Sequence, residues 1–233
     1  MKYIIVALLA VLFLSVSCSD NSTDPEENGT VKIVSSFNTG STWDAISKGD
    51  EYNAGIDSVV VEGFEILISR VMFHTDGANE DSYVYKDGPY RIKADLLNEE
   101  YEVTTVNVPQ VKYDKIKFEM HRFSAAETSQ WENDEDFGIF ATPERYSVVV
   151  RGKVYEGGSA EDFTYNGTVT VNLTFNFDEG IDLNEDDYVI MDVEVDPNVV
   201  FVENGSLLLD PRNAEIANKI DKNISEAFRM ILK

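Results

Sequence analysis

Apolar side chains recur along the chain in short runs that alternate with polar ones, the pattern of strands with one buried face. The longest such run extends from Phe64 to Phe73, and its alternation is broken once, at Ser69 and Arg70, where the pattern predicts a β-bulge. Clusters of Gly, Asn and Asp separate the runs and predict turns. Further strands are predicted at Val31 to Phe37, Val59 to Val61, Tyr90 to Leu96, Tyr101 to Val108, Tyr113 to Met120, Tyr146 to Val154, Phe163 to Phe177 and Tyr188 to Val195.

The run from Phe163 to Phe177 has two interpretations because Asn166 and Gly167 interrupt it. It is compatible with one long strand or with two strands that meet at this point. Two sheets packed through their apolar faces are the economical way to bury so many short strands. The sequence therefore predicts a mostly β protein, built as an antiparallel β-sandwich.

The carboxyl-terminal residues follow a different period. Asp210 is a suitable amino-terminal cap, and Pro211 fits the first turn of a helix. Apolar residues then recur every three or four positions, at Ile216, Ile220, Ile224, Ala227, Phe228 and Ile231. This spacing predicts one C-terminal amphipathic α-helix over residues 211–232. Its opposite face mixes acidic residues with lysines, so the apolar side is expected to pack on the sandwich and not on lipid.

The amino terminus has the parts of a bacterial export signal. Lys2 precedes an apolar run that begins at Ile4 and ends in small residues directly before Cys18. The run is too short to cross about 30 Å of hydrocarbon as a permanent span. Cys18 lies where a lipoprotein signal peptidase would leave a new amino-terminal cysteine for acylation. The alternative is an ordinary secretory signal followed by a chance cysteine.

These features predict three parts of the chain. Residues 1–17 are expected to be a lipoprotein signal peptide, and residues 18–29 a lipidated Cys18 with a flexible acidic tether. Residues 30–233 are expected to fold as the β-sandwich domain. The expected location is the bacterial cell envelope, with the lipid in the outer membrane and the domain on its periplasmic or surface side.

Composition narrows the possible partners. The chain has 43 acidic and 19 basic residues, a formal net charge of −24. This balance argues against nucleic acid, because binding to phosphates depends on Lys and Arg, and against electrostatic docking to anionic lipid. An acidic surface is suited to cations or basic partners, although solubility outside the cell is the simpler explanation and the preferred one. Residues 19–233 contain no cysteine, so a disulfide does not stabilise the domain.

One acidic segment is a candidate calcium site. Asp182, Asn184, Asp186 and Asp187 supply oxygen atoms at near-alternate positions, as at the start of a calcium loop. The segment is not an EF-hand, since Asp187 stands where that loop requires glycine. The alternative is a solvated acidic hairpin turn. Calcium is therefore the one cofactor that the sequence leaves open, and otherwise no cofactor is expected.

A second acidic segment is a candidate ligand site. Trp131 is followed by Asp134 and Asp136, and two phenylalanines flank the cluster. An aromatic ring beside carboxylates is suited to stacking on a sugar while the carboxylates bind its hydroxyls. The alternative is that the aromatic rings are buried and hold the loop in place. The histidines, His74 and His121, are expected at the surface and would need carboxylates to complete a metal site.

Three stretches carry a resemblance to a known group of proteins: Asp57 to Phe73, Tyr90 to His121, and Asp210 to Phe228. They resemble a family of uncharacterised bacterial lipoproteins with a domain of unknown function, built as transthyretin-like or immunoglobulin-like β-sandwiches. The resemblance implies a non-enzymatic module at the cell surface or in the periplasm. It implies no ligand and no catalytic residues.

The sequence contains no serine-histidine-aspartate elbow, phosphate-binding glycine loop or dinucleotide fingerprint. The leading hypothesis is a lipid-anchored, non-catalytic binding module of the cell envelope, with an envelope protein or a glycan as partner. The second is a calcium- or metal-dependent binding protein that uses the acidic loops. The third is a glycan-active enzyme with two carboxylates, since so many acidic residues guarantee chance pairs.

Overall fold

A computed structural model describes residues 28–37, 46–47, 55–75, 85–95, 100–183, 188–204 and 207–233. The strands are β1 (Asn28–Phe37), β2 (Ile46–Ser47), β3 (Ser58–Ile68), β4 (Arg70–Thr75), β5 (Tyr85–Asp87), β6 (Tyr90–Asp95), β7 (Glu100–Pro109), β8 (Lys112–Met120), β9 (Val148–Glu156), β10 (Ser159–Gly167), β11 (Val171–Asp182), β12 (Tyr188–Val195), β13 (Val202–Glu203), β14 (Leu207–Leu208) and β15 (Phe228–Leu232). The helices are α1 (Ala125–Trp131) and α2 (Ala217–Glu226), with 3-10 turns at Pro197–Val199 and Ala214–Ile216.

The protein is mostly β, as predicted, and its strands form a β-sandwich with a C-terminal helix. One sheet has the order β15-β12-β1-β7, a second β10-β9-β3-β2 with β6 also paired to β3, and a third β11-β8-β4-β5. The pairs are antiparallel with one exception among the described strands, since β1 runs parallel to β12. The sheet fold begins at Asn28 and not at residue 30, so the last two residues of the predicted tether belong to β1.

The irregularity predicted at Ser69 is the point where the chain passes from one sheet to another. Ile68 ends β3 in the second sheet, and Arg70 begins β4 in the third. The amide and the hydroxyl of Ser69 both donate to the carbonyl oxygen of Glu119, at 2.8 and 2.7 Å. Corners of this kind let one strand serve two packed sheets. The two sheets are therefore joined covalently at Ser69.

One large core lies between the sheets, and a smaller one lies beneath α1. The large core takes buried side chains from these three sheets, among them Val31, Phe64, Phe73, Phe118, Val150 and Met191, and β13 and β14 form a separate two-stranded sheet. The smaller core consists of Leu67, Phe123, Phe140, Ala141 and Val149, with Trp131 and Phe137 packed against it. The ambiguous run after Phe163 forms two strands, β10 and β11, because the ladder to β9 ends at Gly167 and β11 pairs with β8 instead.

The predicted helix over residues 211–232 is wrong at both ends. The α-helix covers only Ala217–Glu226, and Phe228–Leu232 form β15, which pairs with β12. The helix packs on the sandwich as expected, since Ile220 and Ile224 are fully buried. The hydroxyl of Tyr165 on β10 also donates to Asp221 at 2.7 Å. The end of the chain is a strand because pairing with β12 satisfies its backbone groups.

Candidate functional site

A cavity of about 390 Å³ opens at the corner where the chain changes sheets. It lies between the junction of β3 with β4, the end of β5 and the helix α1. Its described lining residues are Ser69, Arg70, Lys86, Asp87, Gly88, Pro89, Phe123, Glu127, Gln130 and Trp131. We call it the corner cavity. Aromatic rings, cations and carboxylates all contribute to its wall, which is the mixture that small-ligand sites require.

The helix α1 is held in place by its first turn. Glu127 accepts a hydrogen bond from the Ser124 amide at 2.8 Å, while the Ser124 hydroxyl accepts one from the Glu127 amide at 3.3 Å. This reciprocal capping box satisfies two amides that the helix itself leaves unbonded. The hydrogen bonds from Ser124 also hold the pKa of Glu127 below its usual value. The cap therefore fixes a charged carboxylate on the cavity wall and sets the direction of the helix.

Trp131, at the end of α1, is partly buried and packs on the loop as one of the two interpretations of its sequence context predicted. Its ring stacks on Phe123, with centroids 6.1 Å apart and planes 15° apart, and meets Phe137 edge-on at 4.9 Å. These contacts hold the loop after α1 on the smaller core. The ring also lines the corner cavity. The cavity therefore has a rigid aromatic wall.

The carboxylates predicted to act with Trp131 stabilise the loop instead of lining the cavity. Asp134 accepts from the amides of Asp136 and Phe137, both at 2.9 Å, which closes the turn on itself. Asp136 accepts from Arg91 of β6 at 2.6 Å. Neither is among the described residues of the cavity wall. The structure therefore brings Trp131 to a cavity and leaves Asp134 and Asp136 outside it.

A different carboxylate, Asp87, lies at the cavity wall and was not singled out by its sequence. It accepts from the hydroxyls of Tyr90 and Tyr85 at 2.7 and 3.1 Å and from the Gly88 amide at 2.8 Å. Partial burial opposes its ionisation, but the three hydrogen bonds outweigh burial and lower the pKa of Asp87. Burial, and then the bond to Asp87, raise the pKa of Tyr85 to about 12. Asp87 is thus charged and oriented.

Gly88 is required where the cavity wall approaches the sheet corner. Its φ is +140°, and a Cβ at this position would lie 2.6 Å from the carbonyl oxygen of Ser69. A side chain would therefore both strain the backbone and displace the corner. Arg70, on the other side of the junction, has a side chain 44% exposed and lies 3.4 Å from Glu119. Arg70 and Lys86 bring positive charge to the cavity wall.

A buried ion-pair network anchors the loop that follows α1. Glu65 of β3, 7% exposed in its side chain, pairs with Arg151 of β9 and lies 2.7 Å from a guanidinium nitrogen of Arg91. Arg91 continues the network to Asp136. Because the Glu65 carboxylate is buried, loss of its arginine partners would leave its charge uncompensated, so the network holds Arg91 and the loop beside it in one position. Its role is structural support for Trp131.

A larger groove of about 690 Å³ lies beside α2, but its polar groups bond to one another. Lys219 pairs with Glu203 at 2.8 Å, and Lys222 with Glu226 at 3.5 Å. The amide of Asn223 donates to the carbonyl of Val202 at 2.8 Å. The groove wall contains no aromatic ring among its described residues. The corner cavity is therefore the better candidate for a ligand.

The predicted calcium site lies mostly outside the described residues. Asp182 is exposed at the end of β11, opposite Lys112, whereas Asn184, Asp186 and Asp187 are outside the described ranges. Within those ranges, no group of three or more His, Cys, Asp or Glu side chains is arranged to hold a metal ion. The calcium site remains a prediction.

The surface position expected for His74 is wrong. His74 is 1% exposed on β4, whereas His121 is half-buried just after β8, with its Nδ1 3.0 Å from the Arg122 carbonyl oxygen. His74 pairs with Lys115. His121 follows Lys115 by six residues, and six residues of extended chain span about 20 Å, so the two imidazoles lie far apart. The two histidines do not meet at one metal.

Fold and site together define a β-sandwich protein with a ligand-sized cavity at a sheet corner. No protein-family model, curated protein or solved structure matches the chain. In the part of the chain that the structure describes, no helix is long and apolar enough to cross a membrane. Cys18, the predicted lipid attachment residue, lies outside that part.

Proposed function

We propose that the protein is a lipid-anchored, non-catalytic binding module of the bacterial cell envelope, and that its corner cavity binds a sugar unit of a glycan. The corner cavity is the main support for this proposal. Its wall contains a fixed indole ring beside hydrogen-bonding groups of positive and of negative charge. Sugars offer an apolar ring face to aromatic side chains and hydroxyls to polar ones. Its volume of about 390 Å³ is within the usual range of small-ligand sites.

The orientation of the polar groups supports a glycan over an apolar ligand. Asp87 and Glu127 are held by hydrogen bonds from the protein, yet each carboxylate has further lone pairs with which to accept from a hydroxyl. Gln130 adds an exposed amide, which both donates and accepts. A sugar needs donors and acceptors alternating around its ring. The wall supplies both.

The amino-terminal sequence supports the envelope location. Residues 1–17 have the charged start and apolar run of an export signal, and Cys18 follows small residues. The resemblance to bacterial lipoproteins agrees with this interpretation. Substitution of Cys18→Ser is expected to abolish metabolic labelling with palmitate and release the chain from the detergent phase. A processed chain that retained the label would contradict the lipid anchor.

The glycan proposal is tested with the full-length protein in detergent. The chain has two tryptophans, so Trp43→Phe leaves Trp131 as the one indole reporter. Titration with neutral galactan and with polygalacturonate is expected to change its fluorescence for at least one polymer. Trp131→Ala is expected to weaken binding of that polymer by about tenfold in calorimetry, since aromatic stacking contributes up to about 1.5 kcal/mol.

The control is Phe137→Leu, which alters the same aromatic cluster without touching the cavity wall. This variant is expected to bind within about twofold of the unmodified protein, although its melting temperature falls. A protein that binds neither polymer, or that binds equally well after Trp131→Ala, would refute the corner cavity as a glycan site.

A further inference from the structure

The outer face of the third sheet is positively charged in a strongly acidic protein. The registers between neighbouring strands align the residues of this face in three rows that run across the sheet. The rows are Arg70-Glu119-Asn172, Lys86-Met72-Lys117-Thr174, and His74-Lys115-Asn176. We call these ten residues the basic face. They alternate along the strands with side chains that enter the core, such as Val71, Phe73 and Phe118, and two members of the face, Met72 and His74, are themselves buried.

The charge of the basic face is the reverse of that of the chain. Acidic residues outnumber basic ones 43 to 19 overall, whereas the three rows contain four cations and one carboxylate. Glu119 lies 3.4 Å from both Arg70 and Lys117, so one negative charge is shared by two cations. The face keeps an excess of positive charge. Charges within about 10 Å of each other act together at moderate salt.

The geometry of the face is that of an extended binding surface. Lys115 and Lys117 are two residues apart on β8, which separates their Cα atoms by about 7 Å. Lys86 and Lys117 lie on either side of β4 in one row, about 10 Å apart. Beside Lys115 and Lys117, on the neighbouring edge strand β11, lie the exposed side chains of Asn172, Thr174 and Asn176. The cations are therefore flanked on one side by groups that bind hydroxyls.

A second cavity, of about 240 Å³, opens on this face. Its described lining residues are His74, Lys115, Lys117, Asn172 and Thr174. Each can donate a hydrogen bond, and none is a carboxylate. A cavity lined by donors and positive charge is complementary to an anion that also carries hydroxyls.

The basic face and the corner cavity are continuous. Arg70 and Lys86 belong to the rows of the face and also line the corner cavity. A polymer that places one sugar unit against Trp131 would therefore pass over these cations where it emerges from the cavity. We infer that the ligand is an acidic polysaccharide whose charge is carried by uronate carboxylates. This inference rests on the proposed function, because it assumes that the corner cavity holds a sugar.

The negative net charge of the protein favours a sparsely charged polymer over other polyanions. A net charge of −24 repels any polyanion, and the repulsion grows with each further negative charge. A polyuronate carries at most one charge per sugar, whereas sulfated chains and double-stranded nucleic acids are more densely charged. The rows also contain no aromatic ring on which a nucleobase could stack. A sparsely charged polysaccharide therefore fits best.

The inference is tested by calorimetry on the full-length protein in detergent, with polygalacturonate and its fully methyl-esterified form as probes. Esterification keeps the sugar and removes the charge. The acidic polymer is expected to bind at least about tenfold more tightly than the ester, which corresponds to about 1.4 kcal/mol. The preference should decline as salt rises, because ions screen the exposed cations.

Two double variants test whether the preference for the acidic polymer depends on the basic face. Lys115→Gln with Lys117→Gln is expected to weaken polygalacturonate binding by at least about tenfold and to reduce its dependence on salt. Lys219→Gln with Lys222→Gln removes the same charge from α2, outside the face, and should change binding by less than about twofold. Equal losses in both variants would show a general charge effect and overturn the inference.

The remaining outcomes separate the two proposals. Equal binding of both polymers, lost in Trp131→Ala and unaffected by the lysine variants, would overturn the acidic ligand and support the sugar site. Absence of binding to either polymer would overturn the acidic ligand, and absence of binding to neutral galactan as well would overturn both proposals. Tighter binding to dextran sulfate, or to phosphatidylglycerol vesicles through Lys115 and Lys117, would overturn the choice of a polyuronate.

Discussion

Lys233, the last residue of the chain, forms an ion pair with Asp192, whose side chain is 3% exposed on β12. The Lys233 ammonium lies 2.8 Å from the Asp192 carboxylate and 2.8 Å from that of Glu100 on β7. The hydroxyl of Ser36 on β1 lies 2.8 and 2.9 Å from the two oxygens of Asp192. The side chains of Lys233 and Asp192 therefore link three strands of one sheet.

Removal of the Lys233 side-chain charge is expected to destabilise the fold. Among the described residues, Lys233→Met would leave the buried Asp192 carboxylate with its hydrogen bond from Ser36. Because the lysine itself is 42% exposed, we expect a loss of about 1–2 kcal/mol in urea unfolding. Lys222→Met, which breaks an exposed pair on α2, should change stability by less than about 0.5 kcal/mol. Equal effects would contradict the role of Asp192.

The same pair predicts a pH dependence. Hydrogen bonds to Asp192 and Glu100 raise the pKa of Lys233 from 10.5 to about 12. A raised lysine pKa means that the contribution to stability is complete below pH 10.5 and disappears as the pH rises through 12. The stability difference between the unmodified protein and Lys233→Met should therefore be constant to about pH 10 and then shrink. A stability difference as large at pH 12 as at pH 10 would refute the assignment of this pH dependence to Lys233.

Two isoleucines near the end of the chain should respond differently to truncation. Ile224 on α2 is fully buried, whereas Ile231 on β15 is 42% exposed. Ile224→Ala should cost about 2–5 kcal/mol because it leaves a cavity in the core. Ile231→Ala should cost less than about 1 kcal/mol. Chemical unfolding of both variants measures these losses of stability. A large loss for Ile231→Ala and none for Ile224→Ala would contradict the assignment of α2 and β15.

Two glycines in the second sheet provide another matched pair. A Cβ built on Gly152 would overlap the Val60 carbonyl oxygen on the neighbouring strand, whereas one built on Gly63 meets nothing within 4 Å. Gly152→Ala is expected to cost about 3 kcal/mol or more, since the backbone of β3 must move. Gly63→Ala should be tolerated within about 1 kcal/mol. Thermal unfolding of both variants measures the contrast, and a stable Gly152→Ala would contradict the pairing of β3 with β9.

Alternation of apolar residues was sufficient to predict most of the strands, because each needs one buried face. It also located the irregularity at Ser69. It could not show that the chain changes sheets there, since a bulge and a corner interrupt the alternation in the same way.

The end of the chain shows where periodicity fails. Phe228 and Ile231 continue a helical spacing, but Phe228 and Met230 equally fit a strand. The backbone pairing that decides between them comes from β12, more than thirty residues earlier. His74 was misplaced for a related reason, because its burial depends on the neighbouring strand and not on its distance from a turn.

The candidate sites were only partly predictable. Trp131 was identified because an aromatic residue beside acidic ones is a local signal. The basic face was not, since Arg70, Lys86 and Lys115 are far apart in sequence and meet only through strand register. The one local sign was the alternation of Lys115 and Lys117 with the core residues Ile116 and Phe118.

The position of β1 determines how the molecule responds to force at its amino terminus. β1 lies inside its sheet, parallel to β12 from Thr30 to Phe37 and antiparallel to β7 on its other side. A pull along β1 acts perpendicular to the hydrogen bonds on both sides and loads them in shear together. An edge strand could instead be peeled away one bond at a time. Force applied to β1 would therefore have to break two sets of backbone hydrogen bonds at once.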